Sequence, residues 1–325
     1  MIINDRIYGS IEITEPVLIE LINSKPLQRL KGINQAGASK YVLPEKILTR
    51  YEHSVGVMVL LRKLGASLEE QIAGLMHDIP HTAFSHVIDF VFQDENHEFH
   101  EKFHASIIKN SEIPAILKKH GFSLKRLLDE HNFKLLERKI PGLCADRIDY
   151  TLRDMTAYFG FKKKINTYVA SFVVKNNEIV LKKKSIARKF GNDYLWMDRH
   201  VWSHPMEITS YRLLADALRI ALDKKVITKK DLFEDDDFVY DKLKQPGNPD
   251  IKAKLEMLNP KLKIRQDKKN YDFWDKNKVR FINPKFLDSD GTIKQLGDAY
   301  PGFASKIEKH KQLGINGNFI KIVSW

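Results

Sequence analysis

A single cysteine, Cys144, in 325 residues excludes an internal disulfide and suits a reducing compartment. No apolar run approaches the length needed to cross a bilayer, and no basic-then-apolar stretch marks a secretory leader. A cytoplasmic protein is therefore expected. Internal repeats and low-complexity tracts are missing too, which excludes solenoids and arrays. Nor is there an acidic excess: 54 Lys and Arg against 42 Asp and Glu leave a net charge of +12. That balance favours polyanions, and nucleic acids and nucleoside triphosphates both qualify. The surplus is dispersed lysine, in runs such as Lys162-Lys163-Lys164 and Lys182-Lys183-Lys184. Such runs read as solvated surface, and a nucleic-acid partner is the less favoured reading.

What the chain does have is histidine in one place. Seven of its twelve histidines fall between His53 and His104. Neutral imidazole beside carboxylate is a common borderline-metal donor set. Ser67-Leu68-Glu69-Glu70 has the form of a capping box and predicts a helix start. Ile72, Leu75, Met76 and Ile79 follow at helical spacing and predict a core face. His77 and Asp78 come at the far end, and Pro80 cannot continue the ladder. Two adjacent donors at a helix end can converge on one ion. His53 arrives from the preceding helix, whose Val57, Leu60, Leu61 and Leu64 predict packing against this one.

A His-Asp pair alone carries little weight, because chance supplies one often. A third fragment, Ala145-Asp146-Arg147-Ile148-Asp149-Tyr150, changes that. His53, then His77-Asp78, then the distant Asp146, all on predicted helices, resembles the HD-domain metal phosphohydrolases. Gln28-Arg29-Leu30, Gln35, Arg50-Tyr51-Glu52-His53-Ser54-Val55-Gly56, the run from His77-Asp78 through Phe84-Ser85-His86 and the span from Asp146 to Asp154 narrow the likeness. They are similar to the deoxynucleoside triphosphate triphosphohydrolase branch. The likeness is good from about residue 5 to 216 and fainter beyond.

The fold class expected is mainly α: an HD-domain helical core over residues 1–225 with small β-hairpins, then a C-terminal mixed α/β appendage over 226–325. Hairpins are predicted around Tyr8-Gly9-Ser10 and around Asn176-Asn177, and strands at 279–282 and 319–323. The acidic stretch 228–242 predicts a helix, and Gln245-Pro246-Gly247-Asn248-Pro249 a turn. Asp146, Tyr150 and Asp154 recur every fourth residue, so they share one helix face. A polar face there predicts a lined cavity. Asp149 and Arg153 read as a surface ion pair on that helix.

The resemblance implies that His53, His77, Asp78 and Asp146 hold a divalent metal ion. Fe, Mn, Zn, Ni and Co all suit such donors, with or without additional Mg. His81, His86 and His100 are the acid/base candidates. By resemblance His86 is the general acid, with Asp89 and the His100-Glu101 pair orienting the proton network; His97-Glu98 is the alternative frame for that pair. Arg50, Arg147 and Arg199 match phosphate-contacting positions. Tyr150 and Asp154 match positions that hold deoxyribose, and Gln35 one near sugar and base. Two departures stand out: Pro80 where relatives read glycine, and Trp202-Ser203-His204-Pro205 in place of the usual base-side residues.

The implied activity is hydrolysis of deoxynucleoside triphosphates to deoxynucleoside and triphosphate, in a homo-oligomer. The alternatives are another nucleotide substrate (a monophosphate, a cyclic nucleotide or a guanosine alarmone), or a nucleic-acid-binding protein with a vestigial site. In a mammalian member an Asp, a Gln and an Arg read a guanine nucleotide activator. The matching positions here are Asn23, Gln28 and Lys31.

Overall fold

The chain is described from a computed structural model over residues 1–93, 103–245, 247–275 and 278–325. His97, Glu98, His100 and Glu101 lie outside the described residues.

Helices dominate, as the apolar spacing predicts. Arg50–Lys63 starts on Thr49, whose hydroxyl accepts from Glu52 N while the Glu52 carboxylate accepts from Thr49 N, a reciprocal cap. Leu68–Met76 starts on Ser67, whose Oγ accepts from Glu70 N, and His77 closes it. The two helices pack along their length. Gly74 permits the closest approach, since a Cβ there would stand 2.4 Å from Leu61 Cδ1. Ala145–Phe159 crosses behind Arg50–Lys63 and ends at Gly160, whose φ of 63° is the left-handed closure that glycine favours.

Both predicted hairpins form. Ile2–Asp5 pairs antiparallel with Gly9–Glu12. Phe172–Lys175 pairs antiparallel with Glu178–Leu181, joined by Asn176 and Asn177 with φ of 51° and 60°. Two consecutive positive φ values make the tight turn that asparagine tolerates. The second hairpin grows into a four-stranded sheet when Lys285–Leu287 and Ile293–Gln295 join it, Leu181 pairing with Phe286 in parallel. A third sheet places Asn318–Ser324 between Lys263–Gln266 and Phe273–Asp275.

Among the described residues two apolar cores result, and residues from both sides of position 225 share them. One gathers Leu18, Leu21, Leu60, Ile72 and Ile148 together with Phe286, Phe303 and Ile307. The other gathers Phe84, Val87, Ile208 and Leu214 with Val239 and Ile251. Residues 279–282 do not form the strand their composition predicts. Their backbone is held elsewhere: Arg280 N donates to Asp198 Oδ2 at 3.2 Å, and Asn283 N donates to Pro141 O at 3.0 Å. Among the described residues, no helix is long and apolar enough to cross a membrane.

Candidate metal centre and cavity

The expected donors meet. His53 stands on Arg50–Lys63, His77 and Asp78 at the end of Leu68–Met76, and Asp146 in the first turn of Ala145–Phe159. Ligand atoms of His53, His77 and Asp146 all lie within 4.8 Å of one another. Asp78 borders them, its Oδ1 3.5 Å from His77 Nε2 and its Oδ2 3.9 Å from His53 Nε2.

The hydrogen bonds around this group set its character. His77 Nδ1 donates to Gly74 O at 2.7 Å, which leaves Nε2 as a lone pair. That buried Nε2 has no hydrogen-bond partner among the described residues; Asp146 Oδ1 is 3.6 Å away. His53 Nδ1 donates to Asp149 Oδ1 at 2.8 Å, and its Nε2 faces Asp146 Oδ1 at 2.9 Å. With both Nδ1 protons given away, the Nε2 lone pairs of the neutral rings converge with carboxylate oxygens. Such a cluster requires a cation, and its imidazole-carboxylate donors fit a borderline divalent ion. Without a metal a proton takes that place. Burial works against an imidazolium at His53, yet Asp146, Asp149 and Asp78 outweigh it and lift the group to about 10. At His77 burial is likewise outweighed by Asp78 and Asp146, and the pKa rises.

Asp149 and Arg153 are not the surface pair their spacing implies. Both are fully buried, and Arg153 holds Asp149 through Nε at 2.9 Å and Nη2 at 2.8 Å while also reaching Asp5 at 3.0 Å. Asp149 therefore fixes the ring of His53. Gly56 makes room for this: a Cβ there would fall 1.8 Å from Arg153 Nη2 and 2.3 Å from Asp149 Oδ2. The i,i+4 spacing reveals the pair but not which way it faces.

The loop after His77 is clamped despite Pro80. Arg29 Nη2 donates to the carbonyls of Ile79 and His81 at 2.7 and 2.8 Å. The buried Asp236 accepts from Phe84 N at 2.7 Å and Asn34 N at 3.0 Å. Phe84 and Ser85 adopt positive φ values, which turns the chain back towards the metal group. His81 is delivered to Asp78, Nε2 to Oδ1 at 3.2 Å. His86 Nδ1 lies 2.9 Å from the buried Asp89. Burial, with Arg50 adding to it, pushes His81 down to about 3. Burial also lowers His86, against the pull of Asp89.

His53, His77, Asp78, His81, His86 and Asp146 line a cavity of about 1010 Å³, together with Gln35, Lys46, Tyr150, Asp154, Trp202 and Glu207, while Asp89 stands behind His86. Arg50 and Arg147 line it as expected, but each is already matched to a carboxylate. Arg50 Nη1 donates to Asp78 at 2.9 Å and Nε to Ser85 Oγ at 3.0 Å. Arg147 Nη2 donates to Glu137 at 2.7 Å, and its Nη1 to Gly142 O and Cys144 Sγ, both at 3.1 Å. Glu137, Cys144 and Asp146 form a second group of metal-type donors. Arg147 fills it with its own charge, and burial keeps the Cys144 thiol well above its usual range.

Arg199 is corrected. It stands exposed on the turn Asp198–Trp202 and does not line the cavity. Ser203 N closes that turn on Asp198 O at 2.7 Å, and the wider spacing sends Asp198 and Trp202 inward while Arg199 and His200 face out. The cavity takes Lys278 and Arg280 from the C-terminal region instead, residues that no local motif marks. Further in, Tyr150 shares a hydroxyl–hydroxyl bond with Tyr194 and sets its ring edge-on to Trp202 at 5.0 Å. Trp202 Nε1 donates to Asp154 Oδ2 at 2.7 Å. Asp154 Oδ1 and Gln35 Oε1 are buried without a hydrogen-bond partner among the described residues.

Comparison with known proteins agrees with the donor set. Residues 50–154 match the HD domain. A metal-dependent phosphohydrolase of Cordyceps militaris, cns2, is 35% identical over 267 residues, covering 79% of this chain and 77% of that one. This chain belongs to the HD-domain metal-dependent phosphohydrolases. Protein YdhJ of Bacillus subtilis, another relative, is 42% identical over 91% of this chain and 92% of its own. The mouse deoxynucleoside triphosphate triphosphohydrolase SAMHD1 is 32% identical over 164 residues, 43% of this chain and 24% of that one. In structure, a phosphohydrolase from Bacteroides thetaiotaomicron superimposes with a TM-score of 0.71 at 21% identity, covering 92% of this chain and 94% of that one. An HD phosphohydrolase with this site has His53, His77, Asp78 and Asp146 available to hold its metal.

Proposed function

We propose that this HD phosphohydrolase cuts deoxynucleoside triphosphates to deoxynucleoside and triphosphate. The observation that carries the reading is the helix face Asp146, Tyr150, Asp154. It runs from the metal-type donors to a rigid tyrosine and then to a buried carboxylate oxygen without a hydrogen-bond partner among the described residues. An acceptor with no donor suits a sugar hydroxyl, and Asp154 Oδ1 takes the 3′-hydroxyl. Tyr150, fixed by Tyr194 and Trp202, lies beneath the sugar and leaves no room for a 2′-hydroxyl. Gln35 Oε1 offers a second acceptor near sugar and base. The partial likeness to SAMHD1 supports the same substrate class.

A bound divalent ion supplies polarisation of a phosphoryl oxygen and a hydroxide near neutral pH. The chain's residues do the rest. Asp89 fixes the imidazole of His86 through Nδ1, so the other nitrogen, Nε2, passes a proton to the leaving oxygen. The lowered pKa of His86 rises when a polyanion enters beside it, because a nearby negative charge favours the imidazolium. His81, held near 3, stays neutral and orients rather than donates. Arg50 and Arg147 stiffen the walls beside the phosphates.

The test is a panel of deoxyribo- and ribonucleoside triphosphates, monophosphates and cyclic nucleotides with Mn²⁺ or Mg²⁺, products separated by anion exchange. Intact triphosphate released from deoxynucleotides alone supports the proposal. Orthophosphate from a monophosphate, or equal rates on ribo- and deoxyribonucleotides, overturns it.

A further inference from the structure

We propose that Arg280, delivered by the C-terminal region, is the guanidinium that grips the anionic end of the phosphoryl substrate. Among the described residues four arginines line the cavity: Arg50, Arg138, Arg147 and Arg280. Three of them have their charge matched by the protein, Arg50 by Asp78, Arg138 by Glu178 and Arg147 by Glu137. Among the described residues no carboxylate forms an ion pair with the Arg280 guanidinium; Asp198 meets only its backbone N. Its guanidinium makes one hydrogen bond, Nη1 to Lys278 O at a long 3.3 Å.

The surroundings sharpen the contrast. Arg280 is half-buried and sits among Tyr150, Tyr194 and Tyr211, phenols that stay neutral because burial raises all three. Burial works against the Arg280 charge, the surrounding phenols and Asp198 favour it, and its N–H donors remain open to the oxygens of an incoming anion. The planar fork fits two oxygens of one phosphate. Arg280 also acts on the acid/base side of the cavity. Behind burial and Arg50, its charge helps hold down the His86 imidazolium.

The residue is placed deliberately. Asp198, fully buried on the inward turn, accepts from Arg280 N at 3.2 Å and bonds His310 Nε2 at 2.7 Å. His310 belongs to the helix Pro301–Ile315, so one carboxylate ties that helix and the Arg280 segment to the wall of the site. Lys278 and Arg280 thus complete the wall of the cavity. The inference rests on the phosphohydrolase chemistry of the site, not on which nucleotide is cut.

Inorganic triphosphate, which has neither sugar nor base, is the probe. It is titrated calorimetrically into metal-free wild type, Arg280→Gln, Arg280→Lys and the exposed control Arg199→Gln, with thermal unfolding recorded for each. Arg280→Gln should bind roughly 10- to 100-fold more weakly, as for a lost charge-assisted bond. Arg280→Lys should fall between, keeping the charge without the fork, and Arg199→Gln should match wild type. A folded Arg280→Gln protein with wild-type affinity overturns the proposal, as does an equal loss in Arg199→Gln. If Arg280→Gln does not fold, Arg280→Lys decides: a several-fold loss supports the assignment and unchanged affinity overturns it.

Discussion

Asp149 Oδ1 lies 2.8 Å from His53 Nδ1, and the same carboxylate takes two bonds from the buried Arg153. This fixes the tautomer and orientation of a metal-type donor from behind. Burial opposes the Asp149 charge, but Arg153 and His53 overcome it and lower the pKa. Asp149→Asn keeps the shape and removes the charge. It should weaken divalent metal binding roughly 10- to 100-fold, read by calorimetric titration of the metal-stripped protein with Mn²⁺. An unchanged affinity would mean that His53 needs no anchor.

Gly56 faces that anchor. A methyl group there would collide with Arg153 and Asp149, and neither can retreat, because Arg153 is also bonded to Asp5. Gly56→Ala should cost about 1–3 kcal/mol of stability and reduce metal affinity as well. Chemical denaturation of the metal-free protein measures the first effect. A variant as stable as wild type would show that the buried pair has slack.

Much of the centre is legible in the chain. The cap at Ser67, the apolar spacing through Ile79 and the stop at Pro80 place His77 and Asp78 at a helix end, where the structure has them. Asn176-Asn177 marks a hairpin because few other residues accept two positive φ values. What stays hidden depends on tertiary placement. Spacing pairs Asp149 with Arg153 but cannot say that the pair faces inward. Arg199 and Arg280 show the same limit: the first sits near the motif yet turns outward, and the second lies far along the chain yet enters the cavity. Local periodicity carries no information about a segment held by one distant carboxylate, as Asp198 holds Arg280.

Asp154 gives a pH signature. Burial raises its pKa from 3.8 to about 6, against Trp202 and Lys46 and with Glu207 adding to the rise. A carboxyl raised in the folded state holds its proton more tightly there than in the unfolded chain. Its contribution is therefore fully present below the unfolded pKa and is lost as pH rises through about 6. Asp154→Asn cannot ionise. Relative to wild type it should gain stability between pH 4 and pH 8, by at most about 3 kcal/mol. Denaturation at the two pH values in the presence of EDTA reads this. A gap between the proteins that does not change with pH contradicts it.

A guanine activator has little to bind at the positions expected for it. Asn23 Nδ2 donates to Ile19 O at 2.9 Å, Gln28 Nε2 donates to Ile22 O at 2.6 Å, and Lys31 Nζ sits 4.7 Å from the Tyr51 ring centroid. Guanine presents two donors that pair with a carboxylate, and an asparagine offers one acceptor oxygen. Hydrolysis of dATP or dTTP should proceed without GTP or dGTP. Rates measured before and after adding GTP check this, and activity that begins only with the guanine nucleotide contradicts it.

The proposed four-residue metal centre is tested most directly by metal content. Wild type and Asp146→Ala are stripped with chelator, loaded with Mn²⁺ and dialysed, and the bound metal is counted by elemental analysis with folding checked by circular dichroism. Asp146 is the carboxylate towards which both His53 and His77 point, so its removal opens the cluster. Wild type should retain metal, and a folded Asp146→Ala protein should retain almost none. Equal retention by the two would contradict the assignment.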